Sequence, residues 1–557
     1  MRLPLMSTPA RPNHARDRWI LLLLALIILG TGFGLRDPWP SDEPRFALVA
    51  KLMVETGEWI IPHRGHEIYG DKPPFLFWLQ GGLYWLLGSL RIAFLLPSLL
   101  SGLLVIALVY DLARRLWCHQ TALLSAGMLL ISIQFAFQMR AAQIDALLLG
   151  IMTFAAYGLL RHLLLGPAWG WYWAAWFAAG IGAITKGVGP LVLLLLVPYG
   201  IARWRTRGPL YRGAASNWRW WVGPLFLIAA AGIWLGPLSY SVLVEHDPAK
   251  LAYVHEIFYV QTARRYVDPT GHFEPWYYLI GVATMIWMPL TLALPWALGA
   301  LKTRFARFDP RVCIPLVWIG MMFVFFSISP GKRDVYILPA LPMFALALAP
   351  LLPGIVRQRG FQLLCFAVAL TIAALLVLAA LFGEFGDLKA LMRLTESRSI
   401  DPWPLVGTIG VLGLIAVGLS GVRRGLLGFG GVFASVWIVY GLWGYPLLND
   451  ARSAKGVMQD VGRLIGPDAE LALIGWKEQN LLQADRRVTE FGFKKPWPEQ
   501  ERLGHAWLIS KPDRRWIFLQ QPNLAQCFDA SKAKKAGRAN RRDWYLVNAS
   551  AAKAACE

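Results

Sequence analysis

The sequence predicts a mainly α, polytopic membrane protein with a small α/β domain at its C-terminal end. Three observations predict it. Of 557 residues, 56% are hydrophobic and only 16% are charged, where soluble domains carry roughly 25% charge. Apolar runs of about membrane-crossing length recur down to residue 447. Between those runs, basic residues collect in alternate loops. The same composition excludes a disordered chain, and unbroken apolar runs exclude a porin-type barrel, whose strands alternate polar and apolar residues.

The first run, 19–35, follows Arg2, Arg11, Arg16 and Arg18. It lacks an A-x-A cleavage pattern, so it reads as a retained anchor rather than a signal peptide. Twelve further segments lie near 91–113, 121–139, 143–162, 171–185, 188–203, 220–241, 276–299, 312–329, 335–353, 361–383, 402–421 and 425–447. Crossing a ~30 Å hydrocarbon core takes roughly 20 helical residues, and thirteen spans result. With the N-terminus in the cytoplasm, the inner loops hold Arg114 and Arg115; Arg161; Arg203, Arg205, Arg207, Arg212 and Arg219; Lys302, Arg304, Arg307 and Arg311; Arg357 and Arg359; Arg423 and Arg424. All six are basic, as inner loops should be. This placement accounts for much of the +21 formal charge without a nucleic-acid partner. Segment 75–90 is apolar but follows Lys72-Pro73-Pro74. If it spanned, every later basic loop would lie outside, so it is expected to be interfacial or re-entrant.

Residues 1–448 are therefore expected to form the membrane domain, with 36–90 as an outer loop and its interfacial helices, and 449–557 an outer α/β domain. In the latter, strand-like runs 470–475, 516–520 and 544–547 alternate with a helix-like stretch around 454–464. Cys527 and Cys556 share this oxidising side, where either a disulfide or two free thiols fits. No CxxC occurs, so there is no zinc or redox motif.

Outer loops should be poor in charge, yet three are rich in it. The first holds Asp42-Glu43-Pro44-Arg45 and Tyr69-Gly70-Asp71-Lys72-Pro73-Pro74; the loop near 242–275 holds His255, Glu256, Arg264, Arg265 and His272; the short loop near 330–335 holds Lys332, Arg333 and Asp334, followed by Tyr336. Arg140 and Asp145 stand at a helix start on the same side. Arg and Lys at headgroup level suit a phosphate, and a neighbouring carboxylate suits a general base. Together they fit group transfer from a lipid-linked phosphate, the cations stabilising its charge as it leaves. Each piece also has a plainer reading. Asp42-Glu43 and Asp145 answer to a helix dipole, the lysines and arginines to snorkelling, and the histidines to ordinary surface. Lys186 reads as another anchor.

The wording of the motifs goes further. Asp42-Glu43-Pro44-Arg45-Phe46-Ala47, Gly57-Glu58-Trp59-Ile60-Ile61-Pro62 and Tyr69-Gly70-Asp71-Lys72-Pro73-Pro74 resemble the start of the bacterial lipid A aminoarabinose transferase family, within the protein O-mannosyltransferase-like group. The resemblance continues at Ala113-Arg114-Arg115-Leu116-Trp117, Thr185-Lys186-Gly187, Glu274-Pro275-Trp276-Tyr277-Tyr278 and from Gly331-Lys332 to Tyr336-Ile337-Leu338-Pro339, and fades in the C-terminal domain to Gly475-Trp476-Lys477-Glu478-Gln479. It implies a GT-C glycosyltransferase fold in the bacterial inner membrane. It implies transfer of 4-amino-4-deoxy-L-arabinose from an undecaprenyl-phosphate donor to a lipid A phosphate, or to a related envelope glycolipid, at the periplasmic face. By position, Asp42 matches a catalytic carboxylate and Asp145 a second one. Lys72 and an arginine of the Arg264-Arg265 pair match groups that hold the donor phosphate, and Lys332 and Arg333 join them as cations of a neighbouring loop. Glu43, Arg45, Tyr69, Asp71 and Tyr336 are expected around the same cavity.

The chain departs from the family at three places. Asp71 replaces a usual Glu, Gln261-Thr262 a usual Glu-His, and Lys332-Arg333-Asp334 a usual Lys-Leu-Pro. No cofactor is required by this reading; a divalent metal, if bound, would draw on Asp71, His255 and His272. The expected partners are the lipid-linked donor, the glycolipid acceptor and membrane lipid, with nothing to force an oligomer. Other readings compete. Transfer to a protein hydroxyl would need a peptide-binding domain that the sequence lacks. A lipid-phosphate flippase would show two similar halves and charges at the membrane midplane, whereas here the charges cluster at span ends. A non-catalytic envelope assembly protein would tolerate Asp42→Asn. Asp42's role also depends on the acceptor: an attacking hydroxyl needs a base, whereas a phosphate oxygen is already ionised at neutral pH.

Overall fold

The computed structural model describes residues 14–206, 217–264, 271–385, 400–520, 526–539, 542–554 and 556. A backbone crossing hydrocarbon must satisfy its own N–H and C=O groups, which a helix does. Accordingly, each of the thirteen apolar segments is mainly helical over its described part. The described helices do not by themselves give the number of spans. Among the described residues seven helices are long and apolar enough to cross a membrane, and nine if two bent pairs each count as one. Those pairs are His119–Leu130 with Ile133–Met139, bent by 66°, and Tyr278–Ile286 with Thr291–Ala306, bent by 94°.

Proline explains much of the bending and breaking, because it removes a helix donor and clashes with the preceding turn. Pro289 lies in the 94° bend. Segment 335–353 holds Pro339, Pro342, Pro350 and Pro353, and it divides into Asp334–Ile337, Ala340–Leu348, Ala349–Leu351 and Leu352–Ile355. Segment 75–90 forms the helix Phe75–Leu87. At 13 residues it reaches about 20 Å, too short to span. Leu76, Phe77, Gln80 and Gly81 are buried, whereas Trp85 and Leu86 at its far end are exposed.

The first loop contains the helix Glu43–Thr56 and a short hairpin, β1 (His63–Arg64) and β2 (Glu67–Ile68). It is held from both sides. Asp37 accepts two 2.7 Å bonds from Arg91 and one of 2.8 Å from Asn449. His66 donates its backbone N–H to Glu490 at 2.8 Å, joining the hairpin to the C-terminal domain. Glu43, expected to line the cavity, instead sits in the interior. Its carboxylate accepts both terminal nitrogens of Arg36, the Trp39 N–H at 2.8 Å and the Ala142 N–H at 2.9 Å. Arg140 is buried as well, donating to the carbonyls of Ile28 and Thr31.

The last apolar helix runs on through Tyr445–Ser453, past the boundary placed at 448, and the chain reverses at Ala454 in a left-handed conformation, φ 64°. After the helix Lys455–Ile465 comes a five-stranded mixed sheet of β3 (Glu470–Leu473), β4 (Val488–Glu490), β5 (Arg515–Gln520), β6 (Lys534–Ala539) and β7 (Arg542–Val547), in the order β4-β3-β5-β7-β6. β3 runs parallel to β4 and β5; β7 runs antiparallel to β5 and β6. The two strands the sequence did not announce are its edges. β4 has three residues, and β6 reads Lys-Lys-Ala-Gly-Arg-Ala. Short or charged edges resist pairing with another chain and carry little apolar alternation to detect. Phe518 stacks on Trp544 at 4.6 Å in the core of this domain. Cys527 and Cys556 are disulfide-bonded, their Cα atoms 4.6 Å apart.

Replacing Glu43 tests whether it anchors the first loop. Glu43→Gln strands the buried Arg36 charge, a loss of about 3–5 kcal/mol. The thermal midpoint of the detergent-solubilised protein should fall clearly; an unchanged midpoint would contradict the anchoring role.

Candidate functional site

Four chain segments meet at one small polar pocket of about 70 Å³, lined by Asp42, Arg45, Phe46, Asp71, Lys72, Gln143, Ile144, Asp145, Lys186, Arg333 and Tyr336. Asp42 occupies the N-cap position of Glu43–Thr56, yet its side chain makes no capping hydrogen bond. Its carboxylate instead faces two guanidiniums, 3.8 Å from Arg45 and 3.7 Å from Arg333. Glu43, the next residue, points the opposite way into its buried bonds, which fixes the orientation of Asp42. Asp145 lies in the first turn of Ile144–Leu165. Its carboxylate forms an ion pair with Lys186, the last residue of Trp169–Lys186, where Gly187 ends the helix at φ 76°. The Lys186 ammonium stands 5.0 Å over the ring of Tyr336.

Lys186, which the sequence reads as an anchor, is a wall of the pocket. A signal for it exists in the sequence: a lysine ends an apolar helix immediately before a glycine, within one of the motifs that carry the resemblance. Lys332 moves the other way. It is buried and donates to the Glu274 carbonyl at 2.8 Å, outside the pocket. The backbone at Arg333 is extended, and successive side chains of extended chain point to opposite sides. Arg333 therefore reaches Asp42 while Lys332 faces inward. The Lys332 N–H also donates to the His272 carbonyl at 2.9 Å, tying this loop to the 271–275 segment.

Tyr69 is buried beneath the pocket rather than in its wall, edge-on to Phe77 at 5.9 Å. Burial, and then the charge of Asp71, push its phenol well above the ordinary range. Burial works to lower the pKa of Arg45, but Tyr69, Glu478 and Asp42 outweigh it and hold the guanidinium above its usual value. Gly70 is required by a close approach. A Cβ there would lie 2.7 Å from Cγ of Glu256, so its absence lets the 256–264 segment close against the first loop. The side chain of Arg264 and all of Arg265 lie outside the described residues. His255 and His272 are exposed and do not line the pocket that holds Asp71. Among the described residues no three His, Cys, Asp or Glu side chains gather to hold a metal ion, so these three do not form the expected ligand set.

Beside the polar pocket runs an apolar groove of about 710 Å³, walled by Leu147, Ile151 and Phe154 of one pocket helix, Phe177 and Ile181 of the other, and Leu79 and Leu83 of Phe75–Leu87. Leu147 and Ile151 follow Asp145 down its helix, and Ile181 precedes Lys186. The two helices that carry the ion pair thus also carry the groove.

Comparison with known proteins fits this geometry. Residues 71–235 match the family model of dolichyl-phosphate-mannose-protein mannosyltransferases. The undecaprenyl phosphate-alpha-4-amino-4-deoxy-L-arabinose arabinosyl transferase of Pectobacterium atrosepticum is 32% identical over 61% of this chain and 60% of its own length. The protein of that name from Pectobacterium carotovorum is 32% identical over 64% of each. The chain thus matches less than two thirds of these relatives' length. The crystal structure of ArnT from Cupriavidus metallidurans bound to undecaprenyl phosphate superimposes with a TM-score of 0.74 at 20% identity, over 96% of this chain and 99% of that one. Its apo state gives 0.73.

A double-mutant cycle checks the Asp145–Lys186 pair. Asp145→Asn and Lys186→Gln each leave a partner charge largely buried and should each destabilise by about 3 kcal/mol. The double variant should lose less than the sum; additive losses in thermal midpoint would show the pair is not coupled.

Proposed function

We propose that this polytopic chain, which shares the fold of ArnT and is similar to aminoarabinose transferases, transfers a sugar, 4-amino-4-deoxy-L-arabinose, from undecaprenyl phosphate to a phosphate of lipid A. The observation that carries this reading is the joining of a charged pocket to an apolar groove by two shared helices. A polyprenyl chain suits the groove, and its phosphate then reaches the cations at the pocket end.

In this reading Lys72 and Arg333 take the donor phosphate, with Lys186 held toward it by Asp145. As the acceptor oxygen attacks the anomeric carbon, the bond to the phosphate oxygen breaks and the phosphate leaves with the added negative charge. Cations fixed in place before the reaction stabilise that charge without reorganising. A lipid A phosphate is already ionised and needs no base. Asp42, between Arg45 and Arg333, then orients those cations and faces the amino group of the sugar.

The basic inner loops and the Cys527–Cys556 bond support one orientation, with the pocket and the C-terminal domain in the periplasm and the N-terminus in the cytoplasm. Structural disulfides persist in oxidising compartments, and the C-terminal domain contacts the same first loop that forms the pocket.

The test uses purified protein, synthetic undecaprenyl-phosphate aminoarabinose and lipid A, with products read by mass spectrometry. An aminopentose added to a lipid A phosphate is expected, and Lys72→Ala should lower kcat/KM by about 100-fold or more. Asp42→Asn should cost about 10- to 100-fold, independently of pH, because no proton is removed from the acceptor. A hydroxyl acceptor would instead make the loss larger and pH-dependent. No transfer to lipid A by active protein would reject the acceptor assignment.

A further inference from the structure

A second cleft, of about 490 Å³, lies between the first loop and the C-terminal sheet, lined by Pro40, Ser41, Arg45, Arg64, Asp71, Lys477, Glu478, Gln479, Phe493, Arg542 and Trp544. Arg45 and Asp71 line both cavities, so this cleft lies against the reaction pocket across these two side chains. Its charge is unbalanced. Four cations, Arg45, Arg64, Lys477 and Arg542, face two carboxylates, Asp71 and Glu478. One oxygen of Glu478 is shared between Arg45 at 3.1 Å and Arg64 at 3.4 Å. Arg64 is buried, its Nε has no hydrogen-bond partner, and its guanidinium lies 3.7 Å over the Phe493 ring.

Neither of the other two cations forms an ion pair with a carboxylate among the described residues. Lys477 forms no ion pair among the described residues and stands 5.6 Å over Phe493. Arg542 donates to the neutral amide oxygen of Gln520. Burial draws the Lys477 pKa down, and Arg542, Arg45 and Arg64 add to it against the pull of Glu478. Phe493 adds an apolar wall, whereas Trp544 is buried against Phe518. The long apolar groove serves the reaction pocket, so a prenyl chain has no continuation into this cleft.

We propose that this cleft is the acceptor subsite, in which Lys477 and Arg542 of the C-terminal domain bind a phosphate monoester carried on a saccharide that packs beside Phe493. The assignment to the acceptor rests on the glycosyltransferase reading. In it the C-terminal domain presents one phosphorylated sugar to the pocket where the donor's anomeric carbon lies, across the shared wall of Arg45 and Asp71. An arginine fork suits phosphate geometry, and two cations that form no ion pair among the described residues match a dianion.

The test uses the full-length protein in detergent and a lipid-free glucosamine disaccharide bisphosphate as probe, measured by calorimetry beside the unphosphorylated disaccharide and inorganic phosphate. The bisphosphate should bind, and Lys477→Gln and Arg542→Gln should each weaken it about tenfold or more. The same variants should raise the KM for lipid A similarly while the KM for donor stays put. Arg542→Lys, which keeps the charge and loses the fork, should fall between. Because Arg542 also holds Gln520, Lys477→Gln provides the independent check if Arg542→Gln unfolds. Wild-type affinity in Lys477→Gln would overturn the proposal, as would inorganic phosphate binding as tightly as the bisphosphate at the same residues. Residue-dependent binding in a protein that transfers no sugar would instead reject the glycosyltransferase reading and leave an anion site without the acceptor assignment.

Discussion

Glu43 accepts four hydrogen bonds where little water reaches: two from Arg36, one from the Trp39 N–H and one from the Ala142 N–H. A carboxylate so placed is costly unless fully matched, and here the donor set matches it. Its partners come from the end of the first membrane helix, from the first loop and from the turn before Ile144–Leu165. That single side chain therefore sets the distance between two segments carrying pocket carboxylates. Asp42 is its neighbour in sequence, and Asp145 follows three residues after Ala142. The candidate active site depends on this buried pair more than on any contact within the pocket itself.

From there the arrangement follows by chain direction. The helix beginning at Glu43 leads Asp42 out toward Arg333, and the helix beginning at Ile144 turns Asp145 toward Lys186. The first loop is then held on its far side by the C-terminal domain, where Glu478 and Glu490 take Arg45, Arg64 and His66. The proposed transfer needs a rigid polar site at the edge of an apolar phase. Buried ion pairs supply the rigidity, and two shared helices supply the route from hydrocarbon to charge.

The helical membrane domain was legible in the sequence because long apolar runs leave few alternatives. The bends and breaks within those runs were not, because proline at 289, 339, 342, 350 and 353 lies where they occur and hydropathy does not register it. In the C-terminal domain the buried strands β3, β5 and β7 were visible through their apolar content, while the edges β4 and β6 were too short or too charged. Motif and loop charge located Asp42, Arg45, Asp71, Lys72, Asp145, Arg333 and Tyr336 near one another, and these do line one pocket. They could not give side-chain direction: Glu43 and Lys332 stand beside pocket residues in sequence and face the interior. Lys186 escapes a sequence reading for the opposite reason, since a lysine at a helix end looks like an anchor until its partner Asp145 is placed in space.

The most direct measurement is a structure of the protein with undecaprenyl phosphate bound. The account predicts the phosphate within hydrogen-bond reach of Lys72 and Arg333, beside the Asp145–Lys186 pair, with the prenyl chain lying along Leu147, Ile151 and Ile181. A phosphate bound elsewhere, or a chain that leaves this groove empty, would contradict the assignment of the pocket and the function built on it.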